Sequence, residues 1–146
     1  MPTYVCSAAT GRLTSDQKAE IARKASVRSI IEETGAPRYL VQVIFYDVAP
    51  GSQYIAGRPW PADQIWVRGD IGTDGPTSRK TQKLHRMMQD VRKASGAAEE
   101  TVWVYLADIS AENIVEYGRV LPPPGSEDEW FATLPDALRE DLRSLA

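Results

Sequence analysis

The sequence predicts an α+β chain: a four-stranded sheet with two helices on one of its faces. Two observations lead there. A strand, a helix and a second strand follow one another near the start, and the same pattern recurs about 60 residues later. Right-handed crossovers put the helices of two such units on the same side of a shared sheet. Composition agrees with one compact unit: 146 residues, 42% hydrophobic and 25% charged, are enough to bury a core without disulfide or metal staples.

Each element has its own signal. Residues Thr3 to Ala8 form a short apolar run, and Gly11-Arg12-Leu13-Thr14 reads as a turn with Thr14 or Ser15 as the helix N-cap. The helix is expected from Asp16 to about Thr34, with Ala22, Ala25 and Ser29 on one face and Gly35 as its stop. Leu40 to Tyr46 is β-branched and aromatic, a strand closed by Asp47 and Pro50-Gly51. In the second unit Gln64 to Gly69 is a strand, and Pro76-Thr77-Ser78 opens a helix. Leu84, Met87, Met88 and Val91 give that helix a core-facing stripe, and Gly96 ends it. Thr101 to Leu106 is the last strand. The repeats thus span about residues 2–48 and 64–109, within a single domain. Pro-rich Pro122 to Gly125 and helical Asp136 to Leu145 belong to a C-terminal arm, about residues 110–146, packed on the surface or on a neighbour. One sheet face is left without helices, and self-association would cover it.

Several function classes fall away. Lys+Arg of 17 against Asp+Glu of 20 gives a net charge of −3, so no positive field draws the chain to nucleic acid or an anionic membrane. No apolar run approaches the roughly 20 residues that span a bilayer. The start lacks a basic segment followed by an apolar one, which favours a cytoplasmic location. The single Cys6 cannot form an internal disulfide, and no Cys/His spacing suits a metal. His85, the only histidine, is expected on the helix surface, and Cys6 and the Met87-Met88 pair in the core. Of Trp60, Trp66, Trp103 and Trp130, Trp60 is the best candidate for partial exposure. The glycines from Gly69 to Gly75 lack the Lys-Ser/Thr ending of a phosphate loop and read as a strand-to-helix connection.

Pro2 is the informative oddity. Removal of Met1 would expose a secondary amine at the start of a buried strand. An α-amino group has a reference pKa of about 7.7 to 8.0, and apolar burial or nearby cations lower it towards neutrality, where a general base works best.

A strand starting at Pro2, two βαβ units and Gly11-Arg12 before the first helix resemble the tautomerase superfamily, whose members use an amino-terminal proline as base or acid. Val102-Trp103-Val104-Tyr105, Val115-Glu116-Tyr117-Gly118-Arg119, Leu121-Pro122, Pro124-Gly125 and Glu129-Trp130-Phe131 resemble its cis-3-chloroacrylic acid dehalogenase group. Gln42, Arg12-Leu13-Thr14 and the chain length agree. The resemblance implies a βαββαβ protomer, a homotrimer, and no metal or organic cofactor. It also implies catalytic roles for Pro2, for Tyr105 as a hydrogen-bonding group and for Glu116 as the carboxylate that activates water.

The match is incomplete. The group's helix histidine falls on Ser29, or on Ile30 with a one-residue offset, and its two substrate-binding arginines fall on Gly72 and Gly75. A guanidinium fork binds and polarises a carboxylate, so loss of two argues against efficient hydrolytic dehalogenation. Arg12 matches a carboxylate-binding arginine of the 4-oxalocrotonate tautomerases, and is favoured over Arg68, Arg58 and Arg119 as a substitute. Three readings stay open: a keto-enol tautomerase acting on 2-hydroxydienoates or arylenolpyruvates with Pro2 as base; a hydratase or weak cis-3-haloacrylate dehalogenase using Pro2 as acid with Glu116 and Tyr105 directing water; and a non-catalytic trimer that binds small acids.

Overall fold

A computed structural model describes residues 2–26, 37–72 and 77–145. The first half supplies β1 (Thr3–Ala9), α1 (Ser15–Ser26) and β2 (Gln42–Val48), followed by a small hairpin of β3 (Tyr54–Ile55) and β4 (Arg58–Pro59). The second half repeats this order: β5 (Ile65–Gly72), α2 (Thr77–Ser95), β6 (Val102–Ile109), then a hairpin of β7 (Val115–Glu116) and β8 (Arg119–Val120). Two short helices, α3 (Glu127–Ala132) and α4 (Asp136–Arg143), end the chain.

The four long strands form one sheet in the order β2-β1-β5-β6. Within each half the strands are parallel, Thr3 beside Gln42 and Ile65 beside Val102. The halves meet at the antiparallel β1–β5 seam, where Thr3 faces Asp70 and Ala8 faces Ile65. That register relates the halves by an internal two-fold, which places Gln64 of the second half where the first has Pro2.

Side-chain alternation sorts the sheet into two faces. Tyr4, Cys6, Ala8, Ile65, Val67 and Ile71 point to the helices and are buried with Ile21 and Ala25 of α1 and Met87 and Val91 of α2. Both helices therefore cover the same face, as the repeat predicts. The stripe of α1 differs from the expected one: Ile21 and Ala25 carry the packing, Ala22 is only half-buried, and Ser29 lies outside the described residues. Ile21 is the larger apolar group, and burying such a side chain contributes about 1.5–3 kcal/mol. At the start of α1, Thr14 and Gln17 form a capping box. The Gln17 amide donates to Thr14 Oγ1 at 3.2 Å, and the Thr14 amide donates to Gln17 Oε1 at 3.0 Å.

Other boundaries shift modestly. Arg38–Leu40 is a short 3-10 turn rather than strand, so β2 starts at Gln42; β5 and β6 run on to Gly72 and Ile109. Gly96 adopts φ +68° and its amide closes α2 onto the Arg92 carbonyl, the αL stop its position suggests. Gly69 has a different reason to be glycine. A Cβ there would sit 2.6 Å from the Tyr4 ring and 2.7 Å from Leu106, so its bare Cα seats the tyrosine two residues from Pro2. Cys6 is buried, and desolvation pushes its thiol up to about 12, only partly opposed by Lys18. His85 is exposed on α2.

The C-terminal region builds a second, smaller core on the protomer itself. Leu121, Trp130, Leu134 and Leu142 are buried with Leu40, and Phe131 and Tyr39 pack against them.

Candidate active site

Pro2 is buried at the leading edge of β1. On one side its carbonyl accepts a 3.1 Å hydrogen bond from the Gln42 amide. On the other, the Thr3–Asp70 pair sets Pro2 beside the last residues of β5, Ile71 and Gly72. The amino-terminal edge is thus held between two strands rather than hanging as a loose tail.

The second hairpin meets this end of the sheet. Glu116 is half-buried, and desolvation pushes its carboxyl from 4.5 up to about 6, with the positive chain terminus pulling it partly back. The Tyr117 hydroxyl, which donates to the Tyr39 carbonyl three residues before Gln42, holds the next residue of the hairpin at this end of the sheet. Across the hairpin Glu116 faces Arg119, yet no ion pair joins them among the described residues, so a structural salt bridge does not account for either.

The hairpin turn is tight. Tyr117 and Gly118 both have positive φ, 51° and 76°, as a two-residue type I′ turn requires. The first hairpin has the same turn at Ala56 and Gly57, φ 50° and 73°. Alanine satisfies the backbone there, so the aromatic ring of Tyr117 serves something besides the turn. Its hydroxyl donates to the Tyr39 carbonyl at 2.7 Å, and its ring leans on Trp130 with centroids 6.3 Å apart. Trp130 in turn donates from Nε1 to the Val120 carbonyl at 2.8 Å. Both strands of the Glu116 hairpin are therefore tied to the second core. Burial and the neighbouring Glu116 charge raise the Tyr117 hydroxyl's pKa, so it stays protonated as a donor. Sequence reading gave Tyr117 no role. The signal was the recurrence of Gly-Arg at Gly57-Arg58 and Gly118-Arg119, which marks two equivalent turns.

The remaining candidates are not gathered around Pro2 in one chain. Tyr105 lies midway along β6 on the face without helices, half-exposed, its ring edge-on to Trp66 at 5.6 Å. Arg68 stands on the same face and pairs with Asp70 at 3.0 Å. Arg12 follows the far end of β1, where it donates to the Asp63 and Ser95 carbonyls, both at 3.3 Å. Seven strand residues at about 3.3 Å each separate it from Pro2, so within a protomer Arg12 is not close to the proline. Gly72 ends β5; Gly75, Ser29 and Ile30 lie outside the described residues. Trp103 is 39% exposed on the helix-free face, more than the half-buried Trp60, whose Nε1 bonds Gln64 Oε1. Trp60 is partly exposed, as expected, but Trp103 exceeds it, because Trp103 lies on the uncovered face. No group of His, Cys, Asp and Glu among the described residues could hold a metal, and no described helix is long and apolar enough to cross a membrane.

Residues 1–133 match the family model described as "Putative oxalocrotonate tautomerase enzyme". The chain belongs to the tautomerase superfamily. Among solved tautomerase-fold structures it is similar to N1, a member of the cis-3-chloroacrylic acid dehalogenase family, at 38% identity and TM-score 0.86 over 97% of this chain and 99% of that one. Native Ps01740 matches at 30% identity and TM-score 0.69, covering 78% of this chain and 99% of that one. A fused 4-OT described as an asymmetric trimer shares the fold at 16% identity and TM-score 0.69, over 81% and 94% of the two chains. No curated protein matches the sequence. Tautomerase and dehalogenase relatives together support chemistry of that type for this superfamily member.

Proposed function

We propose that the protein is a keto-enol tautomerase for 2-hydroxydienoate or arylenolpyruvate acids, with Pro2 as general base once Met1 has been removed. The observation that carries this reading is the burial of Pro2 at a sheet end it shares with an ionisable carboxyl and a cavity. A buried amine is the kind of group a general base requires, since burial disfavours a charged ammonium. The Pro2 nitrogen takes the enol hydroxyl proton, the C–O bond becomes C=O, and the electrons of the C=C bond take that proton back from the Pro2 ammonium at carbon, which restores the free amine. Atoms balance without a cofactor.

The substrate carboxylate needs a cation. Arg119 is exposed on the hairpin opposite Glu116 and has no ion pair among the described residues. Arg12 could reach Pro2 only from a second copy, as could Tyr105 on the uncovered sheet face. A homotrimer with that face inside supplies both, and a fused 4-OT sharing the fold is described as a trimer. Arg68, on the same face, is then a cation of the subunit interface. A cytoplasmic location suits this chemistry.

The second reading, hydration or weak dehalogenation of short unsaturated acids, draws on Glu116. A carboxyl at about 6 is ionised at neutral pH yet basic enough to take a proton from water. Two variants separate the readings, using protein whose intact mass shows that Met1 is absent. Ketonisation of phenylenolpyruvate, followed by ultraviolet absorbance, should fall roughly 10²–10⁴-fold in Pro2→Ala and survive in Glu116→Gln. Loss of cis-3-haloacrylate turnover in both variants would favour hydration. Full ketonisation by Pro2→Ala would sink the leading reading, and no turnover by processed wild-type protein would favour a small-acid-binding trimer.

A further inference from the structure

A cavity of about 370 Å³ opens at the Pro2 end of the sheet. Leu40, Gly72, Leu121 and Pro122 contribute its apolar wall, and its only ionisable lining groups among the described residues are Glu112 and Glu127. Pro2 itself is not in its lining, but two lining residues belong to the strands on either side of it. Leu40 lies two residues before Gln42, whose amide bonds the Pro2 carbonyl, and Gly72 lies two residues past Asp70, the partner of Thr3.

The other half of the molecule holds a counterpart. Under the internal two-fold, Thr10, Trp60 and Pro61 take the places of Gly72, Leu121 and Pro122, and all three line a smaller cavity of about 290 Å³ that has no carboxylate. The Pro2 end is therefore the roomier and the more anionic of the two. Its space arises where Gly72 has no side chain and Leu121 stands in place of an indole. Glu127 is held in position, its Oε2 accepting the Gly125 amide at 2.8 Å.

We propose that this cavity receives the side group of the substrate and selects an uncharged, apolar group, an aryl ring in particular, over a second carboxylate. The inference rests on the reading of Pro2 as base and narrows its substrate class to monocarboxylates with a bulky apolar tail. Size permits it: a cavity of about 150 Å³ accepts a benzene ring. Electrostatics excludes the alternative, since a second carboxylate entering between Glu112 and Glu127 meets like charges and no cation. Gly72, with no side chain, leaves the space for that group.

The test compares kcat/KM for phenylenolpyruvate, for the dicarboxylate 2-hydroxymuconate and for the small monocarboxylate 2-hydroxy-2,4-pentadienoate. Wild-type protein should prefer the aryl substrate to the dicarboxylate by roughly ten-fold or more. Two variants fill the cavity: Gly72→Leu, and Leu121→Trp, which copies the side chain found at Trp60. In either one the ratio of phenylenolpyruvate to pentadienoate efficiency should drop at least about ten-fold, and Glu127→Gln should raise the relative efficiency on 2-hydroxymuconate. A wild-type preference for the dicarboxylate, or an aryl-to-pentadienoate ratio unchanged in both filled variants, overturns the proposal. Phenylpyruvate affinity, measured by calorimetry on wild type and Leu121→Trp, separates the two claims. If nothing is turned over but affinity falls in the variant, the cavity assignment stands and the catalytic one fails. If affinity is the same in both, the cavity assignment fails whatever Pro2 does.

Discussion

Glu116 shows how one residue records its surroundings in a titration. Its folded-state pKa lies above the ordinary carboxylate value, about 6 against 4.5, so the native protein holds a proton that the unfolded chain has released. Stability contributed by this group is therefore present below pH 4.5 and lost as pH rises through about 6. Glu116→Gln removes the cost of ionising the buried group. The variant should match wild type in melting temperature at pH 4.5 and exceed it at pH 7.5, as differential scanning fluorimetry would show; equal melting temperatures at both values would mean that the carboxyl is not desolvated. The residue itself was legible in the sequence, standing in Val115-Glu116-Tyr117-Gly118-Arg119, while its environment was not. The hairpin that carries it is tied through Tyr117 and Trp130 to a core assembled from Leu40, Leu134 and Leu142, residues up to about 100 positions apart in the chain.

At the scale of elements, the hairpin of β7 and β8 is the part that the Pro2 end borrows from outside the repeat sheet. Two-stranded hairpins are marginal alone, and this one is anchored through Tyr117 and Trp130. Tyr117→Ala restores what the first hairpin has at Ala56, so the turn should form as before while the anchor is lost. Urea unfolding should show a loss of about 1 kcal/mol from the hydrogen bond alone, with a larger loss in the ring-deleting variant than in Tyr117→Phe. Equal stabilities for all three proteins would show that the hairpin stands unaided. The long strands and helices were readable because each repeats a strong local signal: alternating apolar residues, the Met87 and Val91 stripe, glycine stops. The hairpins were not, since strands of two residues carry no periodicity. The misplaced stripe of α1 has a related cause: among alanines the pattern is weak, and Ile21 settles which side turns inward.

For the whole molecule the uncovered sheet face is the feature that demands a partner. Tyr46, Tyr105 and Trp103 are 57%, 51% and 39% exposed there, large apolar groups on one continuous surface. Trp103→Asp should convert the assembly to monomer in sedimentation velocity and, on the proposed reading that Tyr105 and Arg12 meet a neighbour's Pro2, remove ketonisation activity with it. A variant that stays assembled would show that the face contributes little to association, and a fully active monomer would show that one chain suffices. The antiparallel seam between β1 and β5 has a further consequence, which is one of stoichiometry. Each half begins a strand at an equivalent place, but only the first half begins a chain: at Gln64 the nitrogen is locked in a peptide bond. Joining two half-units end to end thus forfeits one basic amine in every pair. On the proposed reading, in which Met1 is removed, a reagent that alkylates secondary amines should saturate at a single equivalent per polypeptide, however many subunits the assembly contains.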